Sequence, residues 1–504
     1  MVEETPNKLV DSSKEADATY GHVIKYTGLF GGVQGIMMLV AIVRNKVVSE
    51  LLGPSGVALI NLFNNAVKLI SQSTDFGISF SAIKHVAELS DYGSETELRN
   101  MVRTVRTWCL YAGLLGMLLA LVLCRGLSVW TFESENYTWD FVLLSLSVCL
   151  LTIQGGEMAI LKGVKKLKSV ALVSVFGAIA TFVLSAPIFY FWRMEGVVYS
   201  LVLCSIVTLA IHLHYSNKVI PWHVSLISRD VYAQGLPMVR LGIGFIIAGI
   251  FGQGAEYVIR TLILHFGDLT AVGLYTSGYT LVVSYSNLIF VAFEADYFPR
   301  LSAAQHDLQR MNQAVNQQME VGVLLVTPML TLFVLAMPVL VPLLFSAKFV
   351  NAVPMAICAT FYVFFRAFTL PVSYLALAKS DSRMYMLTEL VYDIFIALAI
   401  PYAYKCWGLS GAGWALSLAG LLDMLSIHVL YAIKYHFCID ASRLKIYLMQ
   451  LLCFSVAVFA ALQTGLWMKI VAAVAMLISV AISFTVMKNR THIISNLKKR
   501  LWRK

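Results

Sequence analysis

Fourteen apolar segments, each long enough to cross a bilayer, most restrict what this chain can fold into. A membrane-spanning helix needs about 20 predominantly apolar residues. Windows of that length, numbered here as spans 1 to 14, cover residues 23–43, 56–80, 105–124, 140–161, 169–191, 196–216, 236–257, 270–293, 320–346, 352–377, 385–404, 408–433, 444–463 and 466–487. Only 13% of the residues are charged, which excludes an ordinary soluble domain. The sequence therefore predicts an all-α polytopic membrane protein.

The positive charges are unevenly placed along the chain. Lys and Arg concentrate in the N-terminal tail, the loops that follow even-numbered spans and the C-terminal tail, whereas the odd-numbered loops hold few. Under the positive-inside rule this distribution places both termini in the cytoplasm. It also accounts for the net charge of +10 without a nucleic-acid partner. We expect residues 1–22 to form a polar tail and residues 488–504 a basic amphipathic surface segment.

The eight cysteines include no C-x-x-C pair and mostly fall inside spans. Cysteines in such positions usually behave as small buried hydrophobic residues. No disulfide, metal or cofactor is therefore expected.

Polar residues line one face of span 2 even though the span is apolar enough to cross a bilayer. Steps of three, four and seven place on one helical face Asn61, Asn64, Asn65, Lys68, Ser71, Gln72, Asp75 and Ser79. An ionised side chain near the bilayer centre costs at least about 2.5–3.5 kcal/mol. The face is therefore expected to line either a solvated pathway or a buried polar seam between helices.

Cations also occur inside later spans. Arg240 lies early in span 7, where Glu256 and Arg260 have the i, i+4 spacing of a local salt bridge. Arg366 lies within span 10 and either faces a substrate or is neutralised by an acid of the following spans. Those acids are Glu389, Asp393 and Asp423.

Other charged residues leave two interpretations open. Glu157 in span 4 is either the buried partner of a cation or part of a pathway, and Asp423 with His428 has the composition of a proton relay. Lys46, after span 1, is either an interfacial anchor or the rim of a cavity. The stretch after span 2 predicts a solvated interfacial helix that carries Arg99, Arg103 and Arg106.

Three sequence matches have nearly the same offset and indicate a duplication. Residues 53–59 resemble 267–274, Lys84 corresponds to Arg300, and residues 159–162 resemble 376–379, with offsets of 214 to 217. Six spans per copy make the two copies parallel in the membrane. We therefore expect a first lobe over residues 23–218, a second over 219–437, and two extra helices over 438–487.

Short motifs follow one another in a fixed order along the chain. They are Lys25 and Lys46 around span 1, L-G-P-S-G at 52–56, K-H-V-A at 84–87, L-K-G at 161–163, P-R-L-S at 299–302, S-A-K-F at 346–349 and A-K at 378–379. These motifs resemble those of the Wzx-type polysaccharide flippases, within the superfamily of multidrug, oligosaccharidyl-lipid and polysaccharide exporters. The resemblance covers about residues 20–435 and is closest to the O-antigen and enterobacterial common antigen translocases. The chain departs from the usual twelve spans by two.

The resemblance implies two six-helix lobes around a V-shaped central cavity in a bacterial inner-membrane protein. It implies a substrate of undecaprenyl diphosphate carrying an oligosaccharide, moved to the outer leaflet by alternating access. Expected partners are this lipid-linked oligosaccharide, membrane lipids, a polysaccharide polymerase and a chain-length regulator.

The candidate substrate contacts follow from the resemblance and from helical position. Relatives also carry a basic residue at the positions of Lys25, Lys46 and Arg366. The other candidate substrate contacts depend on their helical position alone, and they are Lys68, Arg240, Arg260, Asn61 and Asn64. Cations suit a diphosphate because they replace the water that it loses in the membrane. Candidates for coupling to an ion gradient are Asp75, Glu157 and Asp423.

Two other functions compete with the flippase. A drug or cation exporter of the same superfamily should prefer acidic residues in its cavity, whereas Lys68, Arg240 and Arg366 favour an anionic substrate. A membrane-embedded polymerase or glycosyltransferase needs acid/base residues, and the sequence contains no H-E-x-x-H motif, P-loop or nucleophile set. We therefore expect a transporter and not an enzyme.

Overall fold

The computed structural model describes the backbone of residues 8–225, 229–463 and 465–490, with side chains from Gly32 onward apart from a few gaps. All regular elements in these ranges are helical. The helices are α1 Lys8–Asp75, α2 Ile78–Tyr92, α3 Glu95–Phe132, α4 Thr138–Gly163, α5 Leu167–Trp192, α6 Gly196–Asn217, α7 Arg229–Phe266, α8 Leu269–Tyr279, α9 Tyr285–Ala303, α10 Leu308–Leu344, α11 Val353–Ala378, α12 Ser382–Tyr435, α13 Ala441–Ala461 and α14 Leu466–Arg490. A π-helical turn, Thr280–Ser284, joins α8 to α9.

Two of these helices are broken where the sequence predicts turns between spans. α1 bends at Gly53, with φ 68°, inside the L-G-P-S-G motif, and α12 bends at Trp407 and Gly408, with φ 64° at the glycine. Glycine adopts positive φ without a Cβ clash. Among the described residues, nine helices are long and apolar enough to span a membrane, or ten if the bent pair Leu269–Val291 and Asp296–Ala303 is one span. The all-helical membrane class is confirmed, and the number of fourteen crossings stays a prediction.

The chain divides into two units. Unit 1 comprises Met1–Leu52 and Phe63–Ile250, and unit 2 comprises Gly53–Leu62 and Phe251–Lys504. The predicted lobe boundary at residue 218 differs from this division because the first half of α7 packs on unit 1. Trp108 Nε1 donates a hydrogen bond to the Val231 carbonyl at 3.0 Å, and a Cβ added to Gly242 would lie 2.5 Å from the Phe76 carbonyl oxygen.

Small residues allow close helix packing inside unit 1. A Cβ on Gly156 would lie 2.5 Å from Cys109 Sγ, and one on Gly113 would lie 3.0 Å from the Cys149 carbonyl oxygen, so α3 and α4 approach closely. All eight cysteines are free. The expectation that they are buried holds for four of them but is wrong for Cys406 and Cys438, which are exposed.

The last two helices are held to unit 2 by charged and polar contacts. Arg443 of α13 and Arg490 of α14 lie 3.0 and 3.3 Å from the carboxylate of Glu320 on α10. Gln450 Nε2 donates to Ser483 Oγ at 2.8 Å, which joins α13 to α14. The predicted tail over 488–504 lies mostly outside the described residues.

The two ends of α12 meet at Asp381, which precedes the helix. Its carboxylate accepts hydrogen bonds from Tyr435 Oη at 2.7 Å and from the Met384 amide, and it lies 2.5 Å from Lys434 Nζ. The Lys434 ammonium and the Tyr435 hydroxyl lower the pKa of Asp381 from its ordinary value of 3.8 to about 2. The ionised carboxylate therefore stabilises the joined ends of α12.

This linkage predicts a pH-dependent stability difference between the parent protein and Asp381→Asn. Because the folded-state pKa is depressed, the stabilisation is fully present above about pH 4 and is lost as the pH falls through about 2. Asparagine keeps an oxygen for the Met384 amide but has no charge. We expect the parent to have the higher thermal midpoint at pH 5 in detergent, and most of the difference to be lost at pH 2. A difference that is the same at both pH values would contradict the carboxylate's role.

Candidate functional site

Close packing of α11 against the second half of α12 positions the candidate site in unit 2. Ser417 Oγ donates to the Cys358 carbonyl at 2.6 Å and accepts from the Tyr362 amide at 3.2 Å. A Cβ on Gly420 would lie 3.1 Å from Tyr362 Cα, so only a very small residue fits there. These contacts fix the face of α11 that carries Arg366, one turn after Tyr362.

The hydrogen-bond donors of Arg366 have only some of the partners that they could have. Its NH1 group donates to Tyr362 Oη at 2.6 Å, and its guanidinium carbon lies 5.8 Å from the centre of the Tyr362 ring. Its Nε atom is buried and has no hydrogen-bond partner. In the described part of unit 2, no carboxylate lies within ion-pair distance of this guanidinium. A buried donor without a partner costs about 1–3 kcal/mol, so Arg366 is a good candidate to bind an acceptor.

Arg366 opens onto a small polar cavity of about 120 Å³, called the Arg366 cavity below. Three carboxyl groups line it, from Glu294 on α9 and from Glu389 and Asp423 on α12. Tyrosines and hydroxyl residues complete the wall, namely Tyr374, Tyr385, Tyr392, Thr369 and Ser373. The charged groups of this cavity are thus one cation and three acids, an arrangement that can bind both anionic and cationic groups.

An apolar groove of about 430 Å³ adjoins the Arg366 cavity. Tyr392 and Asp423 line both, so the two spaces meet at these residues. The rest of the groove is built mainly by the two halves of α12, through Leu387, Val391, Phe395, Leu422 and Leu430. A polar cavity that continues into an apolar groove has the form needed by an amphiphilic molecule.

The polar face of span 2 is divided between several environments. Asn61, in unit 2, donates from Nδ2 to the Val57 carbonyl at 2.8 Å. In unit 1, Lys68 is exposed and Asn64 is half-buried, whereas Ser71 is buried and its Oγ lies 2.9 Å from Thr152 Oγ1. Both predicted interpretations therefore apply to parts of this face, a buried seam at Ser71 and an exposed surface at Lys68.

The acids of unit 1 that are candidates for ion coupling have structural partners. Asp75 is buried and accepts from the Ser79 hydroxyl at 3.0 Å and from its amide at 3.3 Å, across the break between α1 and α2. Glu157 is 1% exposed and pairs with Arg106 at 2.9 Å. Of the two interpretations of Glu157, the structure supports the buried partner of a cation.

Arg106 corrects the prediction of a solvated interfacial helix after span 2. Its side chain is 2% exposed, and it donates to the Glu157 carboxylate and to the Pro221 and Ile220 carbonyl oxygens at 2.7 and 3.1 Å. Arg99 remains exposed, as predicted. The sequence pattern missed the buried arginine because Glu157 lies 51 residues away and only tertiary packing brings the two together.

The remaining candidate cations differ in their partners. Lys46 pairs with Glu50 at 2.8 Å, and Arg260 pairs with Glu256 at 3.1 Å, the local salt bridge that its spacing predicts. Arg240 is exposed in unit 1. The side chain of Lys25 lies outside the described residues.

The sequence interpretation did not assign Glu294, Tyr385 or Tyr392 to a site. A signal exists for the last two, because Tyr385, Glu389 and Tyr392 are spaced by four and three residues and therefore share one helical face. Glu294 has a weaker signal, because it lies seven residues after Asn287 and so continues a polar face of span 8, but it reaches the Arg366 cavity from a different helix.

Comparisons with known proteins identify both a family and a fold. A family model described as polysaccharide biosynthesis protein matches residues 23–305. No curated protein matches the chain.

Several solved structures are similar in fold. The lipid II flippase MurJ in an inward closed conformation has a TM-score of 0.70 and 12% identity, over 92% of this chain and 99% of that one. An inward-facing multidrug resistance MATE family transporter of the MOP superfamily has a TM-score of 0.64 and 13% identity, over 79% of this chain and 94% of that one. A MOP superfamily transporter from Pyrococcus furiosus, described as having a binding pocket of reverse polarity, has a TM-score of 0.54 and 15% identity, over 81% of this chain and 93% of that one. At these identities the likeness shows the fold alone.

Proposed function

The chain belongs to the polysaccharide biosynthesis protein family, and from this membership we propose that it is a flippase for an oligosaccharide linked to undecaprenyl diphosphate. The substrate would carry an O-antigen or related polysaccharide repeat unit. It would pass by alternating access from the cytoplasmic to the outer leaflet of the bacterial inner membrane, with both termini of the protein in the cytoplasm. A polysaccharide polymerase and a chain-length regulator would act on the product.

The adjacency of the Arg366 cavity and the apolar groove is the observation that carries this proposal. A polyprenyl diphosphate joins an anionic group directly to a long hydrocarbon chain. The groove offers apolar walls beside the cavity, and the two share Tyr392 and Asp423. The head of a single amphiphile can thus contact Arg366 while the first part of its chain lies against α12.

Arg366 is the residue proposed to bind the diphosphate. An arginine presents several donors in a planar fork that matches phosphate oxygens. The unpartnered Nε atom offers one of these donors without breaking any contact in the described structure. The exposed cations Lys68 and Arg240 are proposed as further contacts for phosphate or acidic sugars, with Lys46 and Lys25. Asn64, half-buried on the same helix as Lys68, is proposed to hydrogen-bond sugar hydroxyls.

Asp423 is proposed to take part in ion coupling. In the Arg366 cavity, the carboxyl groups of Asp423, Glu389 and Glu294 lie around a single positive charge, the guanidinium of Arg366. A diphosphate bound at Arg366 would compensate that positive charge, and the carboxyl groups would then each require a proton or a small cation. Uptake of the substrate would in this way be linked to uptake of a cation.

The acidic lining also favours one alternative function. Three carboxyl groups beside one arginine are the kind of cavity expected of a drug or cation exporter. In that case Glu294, Glu389 and Asp423 would bind an organic cation, and Arg366 would set their charge state.

Reconstitution into vesicles tests the two functions against each other. The parent protein is supplied with a defined fluorescent undecaprenyl-diphosphate oligosaccharide, and transfer between leaflets is read by a membrane-impermeant glycosidase. Parallel vesicles receive an organic cation dye with and without a proton or sodium gradient. Transfer of the lipid-linked sugar well above protein-free vesicles supports the flippase. Gradient-driven dye transport without sugar transfer would replace it by the exporter.

A further inference from the structure

A second cavity lies in unit 1, beside the first turns of α3. It has a volume of about 230 Å³ and lies between α3 and the segment that follows α6. Its lining is strongly basic, with Arg99, Arg103, Arg106 and His223, together with Asn100. We call it the basic cavity. The charge distribution of the sequence predicts this end of α3 to be cytoplasmic.

The acids near the basic cavity are already engaged. Arg99 pairs with Glu95 at 2.6 Å, and Arg106 pairs with Glu157 at 2.9 Å. Glu97 accepts from the Ser94 amide at 2.8 Å and from its hydroxyl.

Arg103 is therefore the uncompensated charge of the basic cavity. It is half-buried, and its guanidinium has no ion-pair or hydrogen-bond partner in the part of unit 1 that the structure describes. Partial burial keeps such a cation close to whatever enters the cavity and screens it less than a fully exposed one. The guanidinium of Arg103 is therefore available to bind an anion.

We propose that the basic cavity binds a phosphate group, with Arg103 as its principal contact. A guanidinium binds phosphate through charge-assisted hydrogen bonds, and the Asn100 amide and the His223 ring can add donors at the same cavity. Basic pockets at the cytoplasmic ends of membrane helices suit anionic headgroups. The phosphate belongs either to an anionic phospholipid of the inner leaflet or to a soluble cytoplasmic anion.

Binding there would also hold the segment that connects α6 to α7. Arg106 NH1 donates to the Pro221 carbonyl at 2.7 Å, and the Ser225 amide donates to Thr107 Oγ1 at 3.2 Å, so α3 already holds this segment at two points. The guanidinium of Arg106 lies 4.9 Å from the centre of the Trp222 ring. A phosphate between Arg103 and His223 would add a third point and slow the opening of residues 219–225.

Hydrogen exchange with two probes tests the proposal. Protein in a neutral detergent is titrated with phosphatidylglycerol in one arm and with sodium pyrophosphate in the other, and phosphatidylcholine serves as the zwitterionic lipid control. We expect slower exchange over residues 219–225 with at least one anionic probe. The variant Arg103→Gln should weaken that probe's apparent affinity about tenfold, the effect of losing charge-assisted hydrogen bonds.

Arg310→Gln is the matched control, because Arg310 also lies in the N-terminal part of a long helix but is 81% exposed and pairs with Asp307. It should leave both titrations unchanged. Arg103→Lys, which keeps the charge without the fork, should fall between the parent and Arg103→Gln. Protection by phosphatidylglycerol alone assigns a lipid site, and protection by pyrophosphate assigns a soluble anion. The proposal would be overturned if the parent and Arg103→Gln had the same apparent affinity for both probes. It would also be overturned if neither probe slowed hydrogen exchange over residues 219–225.

Discussion

Arg366→Gln is expected to reduce translocation of the undecaprenyl-diphosphate oligosaccharide by on the order of a hundredfold. Truncating one member of a buried, hydrogen-bonded charge pair typically costs about 2–5 kcal/mol, and each 1.4 kcal/mol is about tenfold. Glutamine removes the charge and the planar fork, while Tyr362 keeps its place on α11. Initial rates of glycosidase-accessible sugar in reconstituted vesicles provide the measurement.

Two further variants separate loss of binding from loss of structure. Arg366→Lys keeps the charge as a point and should retain part of the activity, because a lysine lacks the fork that matches phosphate. Arg310→Gln again serves as the control, since Arg310 is exposed on α10, and its rate should equal that of the parent. An Arg366→Gln protein with the parent's thermal midpoint and the parent's transfer rate would exclude Arg366 from the substrate site.

Local sequence patterns were sufficient for the helical class and for two of the breaks, but not for the break between α1 and α2 at Phe76 and Gly77, which lies inside predicted span 2. The Gly53 bend lies in a Gly-Pro turn, and the Gly408 bend lies between two apolar windows, so composition alone locates both. Arg366 was likewise singled out by its charge within an apolar span. These features depend on neighbours in the chain, which a sequence displays directly.

The partners of charged residues could not be predicted in the same way. The Arg366 cavity forms where α9, α11 and α12 converge. The sequence did not distinguish the three candidate acids on α12, whereas in the structure Glu389 and Asp423 line the cavity and Asp393 does not. Arg106 looked like its exposed neighbour Arg99 because both lie in the same charged stretch. Such choices depend on contacts between residues that are distant in sequence.

The proposed duplication gains one observation from the structure and stays a prediction. Ser55 and Thr270, one residue in each matched segment, have their side-chain oxygens 3.2 Å apart within unit 2. A Cβ on Gly273 would also overlap the Pro54 carbonyl, so the two copied segments approach closely.

Glu157→Gln is expected to be among the most destabilising single changes in unit 1. Breaking a buried ion pair costs about 3–5 kcal/mol, because it leaves an uncompensated buried charge. Here that charge is Arg106, whose remaining acceptors are mainly the Pro221 and Ile220 carbonyls. The loss of stability should appear as a large drop in the thermal midpoint. It should also appear as faster hydrogen exchange over residues 216–225, which Arg106 holds against α3.

A double-mutant cycle decides whether the pair itself carries this effect. Arg106→Met with Glu157→Met removes both charges and should recover much of the stability that either single change loses, since a buried pair is often replaceable by apolar residues of similar size. Glu135→Gln is the control, because its pair with Arg125 is exposed, and it should leave the thermal midpoint unchanged. If the double variant were instead as unstable as the two single changes added together, Arg106 and Glu157 would act independently, and the anchoring of residues 216–225 would rest on the backbone contacts of Arg106 alone.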